Sequence, residues 1–181
     1  GDFVVIAGPC SVESETQLLE TARDVKAAGA DMLRGGAFKP RTSPYAFQGL
    51  GLQGLKILEK ARQETGLPIV TEVVDPRDVS WVAEFADVLQ IGTRNTQNFE
   101  LLKFVGRQRE YPVLLKRGFG ITLEESLNAA EYLASEGNRN VVFGLRGMKT
   151  NMGDPHRNFV DFAHVPVVKR LTRMPVCIDP S

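Results

Sequence analysis

Short aliphatic and β-branched runs alternate with amphipathic stretches from one end of this chain to the other. That alternation limits its fold more than any single motif. The β-like runs are residues 3–7, 32–34, 69–73, 88–91, 113–116, 141–143 and 176–178. Helix-like stretches at 15–28, 52–65, 76–85, 99–106, 123–136 and 167–172 separate them. Their ends carry local signals. Ser14 can cap the first helix, Asp75-Pro76 opens the third, and Thr122-Leu-Glu-Glu125 reads as a capping box for the fifth. Ala28-Gly29-Ala30 and Glu136-Gly137-Asn138 stop helices. Strands that alternate with helices pair in parallel, and right-handed crossovers leave two architectures for such an α/β chain, a doubly wound sheet or a (β/α) barrel.

The polar residues choose between the two. Cys10 follows the first strand, Arg34 and Lys39 the second, and Glu72 ends the third. Arg94 follows the fourth, Lys116 and Arg117 end the fifth, Arg146 follows the sixth and Asp179 ends the seventh. Every unit thus places a reactive or charged group at its C-terminal end. Only a few strands feed the ligand crevice of a doubly wound sheet, whereas a barrel brings all strand ends around one mouth. The expectation is a (β/α) barrel in a single domain, residues 1–181, with no linker or low-complexity segment.

The loop after the second strand, Leu33-Arg-Gly-Gly-Ala-Phe-Lys-Pro-Arg-Thr-Ser-Pro44, gathers three cations, two hydroxyls and two glycines. Lys and Arg supply charge, the Arg fork binds an oxyanion bidentately, and glycines let backbone N–H groups approach closely. One such loop is most often solvated surface; further cations at other strand ends make a phosphate site the better reading. The 22 basic and 22 acidic residues cancel, so there is no global field for nucleic acid or an anionic membrane. No apolar run approaches the length of a membrane span. Cys10 and Cys177 form no disulfide framework, and the cytosol is the expected compartment.

Several long stretches also resemble a known family. Ala7-Gly-Pro-Cys-Ser-Val-Glu-Ser14, Leu33 to Tyr45, Phe47-Gln-Gly49, Leu89-Gln-Ile-Gly-Thr-Arg-Asn95, Leu114-Leu-Lys-Arg-Gly118 and Ile178-Asp-Pro-Ser181 are similar to 3-deoxy-arabino-heptulosonate 7-phosphate synthases, and more narrowly to their compact microbial branch. The resemblance implies a transferase on a (β/α)8 barrel. It would join phosphoenolpyruvate to erythrose 4-phosphate, release phosphate, and open the shikimate route to aromatic amino acids. It places Arg34, Lys39, Arg94, Lys116 and Arg146 around phosphoenolpyruvate, whose carboxylate and phosphate carry about three charges to be neutralised. Arg41 and Thr42 match positions that hold erythrose 4-phosphate. Cys10 matches a ligand of a divalent metal, Mn, Fe, Co or Zn, that polarises the aldehyde. Lys39, Glu72 and Asp179 are the candidate catalytic residues, the two carboxylates orienting cations or handling protons. A homo-oligomer, dimer or tetramer, is also implied. Cys177 is expected only to pack.

Two departures stand out. The family typically reads Glu-Arg-Gly where this chain has Leu145-Arg146-Gly147, followed by the unusual Gly153-Asp-Pro-His-Arg157. His156 and Arg157 could reach the sugar phosphate, but an exposed loop His is more often solvated. About seven of eight β/α units are present, and a His, a Glu and an Asp that complete the family's metal site would lie beyond Ser181. The expectation is a chain that continues past that residue. The alternatives are a 3-deoxy-manno-octulosonate 8-phosphate synthase, which uses arabinose 5-phosphate, or a silent phosphate-binding barrel. The octulosonate enzymes typically read Lys-Ala-Asn-Arg-Ser-Ser, so Lys39-Pro40-Arg41-Thr42 favours erythrose 4-phosphate.

Overall fold

Most of these elements form where the sequence places them in a computed structural model of the chain, which describes residues 3–180. Residues 1, 2 and 181 fall outside that description, and with them the Ser181 end of the last motif. The chain divides into two units, Gly1–Leu89 and Gln90–Ser181.

In the first unit β1 (Ile6–Ala7), α1 (Glu15–Ala27), β2 (Met32–Arg34), α2 (Leu52–Thr65) and β3 (Ile69–Glu72) follow one another. The strands are parallel and lie in chain order, with Ile6 opposite Met32 and Leu33 opposite Ile69. All of β3 is buried, as a parallel strand covered on both faces must be. Leu18 and Ala22 of α1 and Leu55, Leu58 and Ala61 of α2 are the fully buried stripes that helical spacing supplies. Ser14 accepts a hydrogen bond from the Gln17 amide and so caps α1.

In this half of the chain the clearest differences from expectation are at two elements. Strand β1 is shorter than residues 3–7: Phe3, Val4 and Val5 are exposed, and Val5 donates its N–H to the Asp31 carboxylate rather than to a strand. The stretch 76–85 splits into a 3-10 turn, Pro76–Asp78, and a short α3 (Val79–Ala83). Asp75 accepts the Arg77 N–H, which tightens this first turn. Strand β4 (Val88–Ile91) spans the boundary between the units.

The second unit runs α4 (Phe99–Gly106), β5 (Val113–Lys116), α5 (Leu123–Ser135), β6 (Val141–Leu145), an unexpected hairpin of β7 (Met148–Lys149) and β8 (Asn158–Phe159), α6 (His164–Leu171) and β9 (Val176–Ile178). β5, β6 and β9 are parallel neighbours, with Lys116 opposite Gly144 and Leu145 opposite Ile178. The capping box at Thr122 forms in full, Thr122 and Glu125 each accepting the other's amide. β6 is longer than residues 141–143 because Gly144 pairs with Lys116 and Cys177, and Leu145 with Ile178. α6 starts earlier than residue 167 because Pro166 sits in its first turn, where a missing N–H costs nothing. Its Val168 forms a fully buried cluster with Phe143 and Leu145 of β6.

Asn138 ties two loops at the amino ends of β5 and β6. Fully buried, it donates to the carbonyls of Gln108 (2.9 Å) and Tyr111 (2.8 Å) and accepts from the Asn140 amide (3.0 Å). Asn138→Ala removes all three bonds, leaving the Gln108 carbonyl only the Tyr111 amide, at about 1–3 kcal/mol for such a loss. Urea unfolding of the variant should show a destabilisation of about 2–3 kcal/mol with an unchanged m-value, and a midpoint equal to the parent's would show that water replaces the amide without cost.

Candidate functional site

In the first unit the site residues are assembled by backbone contact at the ends of β1 and β2. Gly8 has a φ of +143°, and a Cβ there would lie 2.1 Å from the Arg34 carbonyl oxygen. Gly36 is restricted by contact alone: its Cβ would meet the Cys10 carbonyl oxygen at 2.7 Å. Only glycine permits both approaches. The result is that the Cys10 loop lies on the Arg34 loop, with the Val12 amide bonded to the Gly36 carbonyl at 3.0 Å.

Lys39 donates from Nζ to Cys10 Sγ at 2.8 Å. Burial pushes the Cys10 thiol up, but the Lys39 hydrogen bond and charge, with the charge of Arg34, outweigh it and hold the group below the usual thiol range. The thiolate is therefore populated at lower pH than in an ordinary cysteine, the state in which sulfur binds metals or acts as a base. Glu72, 7% exposed, ends β3, beside Thr71, whose hydroxyl donates to the Gly35 carbonyl at 2.7 Å. Arg41 and Thr42 are exposed on the loop beyond Lys39. Among the described residues no hydrogen bond or ion pair joins them to the Cys10–Lys39 pair.

The second unit holds a richer arrangement. Lys116, at the end of β5, pairs with Asp179 through Nζ and Oδ2 at 2.6 Å, and both side chains are largely buried. Asp179 is fixed by its own amide, which donates to the Leu145 carbonyl at 2.8 Å. Thr93 and Thr96 hold the Arg94 loop against the end of β5, donating to the carbonyls of Arg117 (2.7 Å) and Lys116 (2.8 Å). The guanidiniums of Arg94 and Arg146 then lie 5.8 and 5.9 Å from the centre of the Phe119 ring. Burial lowers the Arg146 pKa, Asp179 opposes this, and repulsion from Arg94 and Arg157 adds to the lowering. Positive charge is in local excess.

The fold adds residues that the sequence reading did not select as site residues. Lys149 brings a third cation to Phe119, at 5.8 Å. Arg117 and Asp161 form an ion pair at 3.2 Å whose side chains are 2% and 0% exposed. Asp161 also accepts the Gly147 amide at 2.9 Å. The Lys116-Arg117-Gly118 triplet marked Arg117 as charged, but no motif pointed to Phe119, Lys149 or Asp161. Leu145, at the position where the resemblance expects Glu, is fully buried in the apolar core. His156 is exposed, and Arg157 pairs with Asp154 at 3.8 Å. Cys177 is half-buried, and burial first, then the Asp179 charge, raises its thiol.

Cys10 has the donor chemistry for a divalent transition ion, yet among the described residues no group of three or more His, Cys, Asp or Glu is placed to hold one. Within those residues, too, no helix is long and apolar enough to cross a membrane.

Known proteins extend this picture. The phospho-2-dehydro-3-deoxyheptonate aldolase of Thermotoga maritima is 48% identical over 181 residues, 100% of this chain and 53% of that protein. A 2-dehydro-3-deoxyphosphooctonate aldolase of Acidithiobacillus ferrooxidans is 34% identical over 187 residues, 98% of this chain and 64% of that protein. The crystal structure of the Thermotoga DAHP synthase matches with a TM-score of 0.91 and 46% identity, covering 99% of this chain and 51% of that one. A truncated form of the Thermotoga enzyme matches with a TM-score of 0.88, covering 64% of its chain. This chain therefore spans about half to two thirds of the length of these relatives, and its β/α units are those of a (β/α)8 barrel fold, as the strand ends predicted. Similarity that extends over residues 1–181 settles the relationship: the chain belongs to the DAHP synthetase I family.

Proposed function

We propose that the protein condenses phosphoenolpyruvate with erythrose 4-phosphate to 3-deoxy-D-arabino-heptulosonate 7-phosphate and phosphate, at the entry to the shikimate route. The observation that carries this reading is the cation cluster of the second unit, Arg94 and Arg146 at Phe119 beside the Lys116–Asp179 pair, in a chain of this family. Cations at such density call for an anionic ligand. Arg34, Lys39, Arg94, Lys116 and Arg146 serve the carboxylate and phosphate of phosphoenolpyruvate, and Arg41 and Thr42 the phosphate of the sugar. The Lys39-Pro40-Arg41-Thr42 motif and the 48% identity to the Thermotoga enzyme, against 34% to the octulosonate enzyme, favour erythrose 4-phosphate over arabinose 5-phosphate.

In the reaction the C2=C3 electron pair of the enol forms a bond from C3 to the aldehyde carbon, and the aldehyde oxygen takes up charge and a proton. Water adds at C2, and the hemiketal expels phosphate to leave the ketone. Lys39 is a donor for the developing oxygen charge. Asp179 orients Lys116, and Glu72 and Asp179 are the carboxylates available to move protons. Cys10, a thiol held toward its thiolate, would contribute one ligand to a divalent Mn, Fe, Co or Zn ion, which when bound supplies Lewis acidity at the aldehyde. A homo-oligomer and a cytosolic location belong to the same proposal.

Two substitutions in the full-length protein test the assignments. Arg41→Ala removes a bidentate phosphate grip, so KM for erythrose 4-phosphate should rise roughly 10-fold or more while KM for phosphoenolpyruvate stays within about twofold. Equal effects on both substrates would remove Arg41 from the sugar site. Cys10→Ala should bind far less metal, read by elemental analysis after dialysis against Mn or Zn, because losing one of about four ligands removes most of a site's affinity. Undiminished metal content would return Cys10 to a packing role.

A further inference from the structure

We propose that Lys149 is a further binding residue for phosphoenolpyruvate, a third cation beside Arg94 and Arg146 that grips its phosphate; this rests on the function proposed above and deepens it. The first ground is position. The Lys149 ammonium and the Arg94 and Arg146 guanidiniums each lie within 6 Å of the centre of one ring, that of Phe119. Lys149 is exposed and open to a ligand.

The second ground is how firmly the backbone holds it there. The Lys149 amide donates to the Phe119 carbonyl at 2.8 Å. β7 pairs with β8, Lys149 opposite Asn158, and the Thr150 amide donates to the Arg157 carbonyl at 2.9 Å. The base of the hairpin is tied down where Gly147 donates to Asp161, which is itself paired with buried Arg117. A lysine on a freely moving loop would lack all of these restraints.

The third ground is charge. Near the cluster, Asp179 pairs with Lys116, Asp161 with Arg117 and Asp154 with Arg157. Among the described residues Arg94, Arg146 and Lys149 form no ion pair. Like charges beside one ring repel; burial first, and then repulsion from Arg94 and Arg157, holds the Arg146 pKa below its usual value. A phosphate dianion relieves the repulsion: the planar guanidiniums bind oxygens bidentately, and a flexible ammonium reaches a third oxygen as a point charge.

Calorimetric titration of the full-length protein with phosphoenolpyruvate, alongside steady-state kinetics, tests this. Lys149→Met keeps the aliphatic stem and the backbone bond to Phe119 but removes the charge. It should weaken phosphoenolpyruvate binding about 5- to 10-fold, with KM for erythrose 4-phosphate within about twofold. Lys149→Arg should restore most of the affinity, and the gap between the variants should narrow as salt is raised. Should Lys149→Met fail to fold, Lys149→Gln against Lys149→Arg makes the same comparison. Neutral variants that bind phosphoenolpyruvate as tightly as the parent would overturn the role of Lys149 and leave the proposed function standing. A parent protein that binds no phosphoenolpyruvate would overturn both.

Discussion

Parallel pairing is the constraint on which the site depends. A strand can be followed by a parallel neighbour only through a crossover, so within each unit the helices return the chain and successive strands point the same way. The residues that leave the strands therefore gather at one end: Cys10 and Arg34 in the first unit, Lys116, Arg146 and Asp179 in the second. Register completes the alignment. Leu145 lies opposite Ile178, and the Asp179 amide bonds to the Leu145 carbonyl, which sets Asp179 against Lys116. A slip of one residue would turn each of these side chains to the opposite face.

Within that frame, carboxylates are spent on positioning cations. The Arg117–Asp161 pair is the clearest case. Burying two charges costs several kcal/mol per ion before attraction recovers it, and Arg117 Nε is buried with no hydrogen-bond partner among the described residues. The pair is thus a poor candidate for a net source of stability. Its value lies in what it fixes, because Asp161 also accepts the Gly147 amide, next to Arg146, at the base of the hairpin that carries Lys149. Lys116–Asp179 acts similarly at the end of β5. A chain with no net charge in this way concentrates positive charge locally.

What the sequence made legible was the chemistry that acts over a few residues. Ser14, Asp75 and Thr122 cap the elements they were expected to cap, because a capping side chain meets an amide two or three positions away. Strand positions followed from aliphatic runs, since buried parallel strands are apolar on both faces. The hairpin was not legible. Its strands have two residues each and are separated by eight, too short for any alternation to register. Lys149 was hidden for a related reason: its place is set by the Phe119 carbonyl, thirty residues earlier in the chain. Cys10 and Lys39 were each selected, but their direct contact depends on the close approach at Gly8 and Gly36, which no pattern in the sequence encodes.

Leu145 shows how one substitution redistributes the electrostatics of the site. A carboxylate there, as the resemblance expects, would sit beside Arg146 and offset part of its charge. Here the position joins Phe143 and Val168 in a fully buried apolar cluster, where an unpaired carboxylate would be costly. The favourable charge felt by Arg146 comes mainly from Asp179, which Lys116 already engages at 2.6 Å. Arg146 is therefore less neutralised by the protein itself, and more of the compensation at Phe119 would fall to the anion proposed to bind there. Packing at a core position next to Arg146 thus helps to set how much uncompensated charge the cations at the strand ends carry.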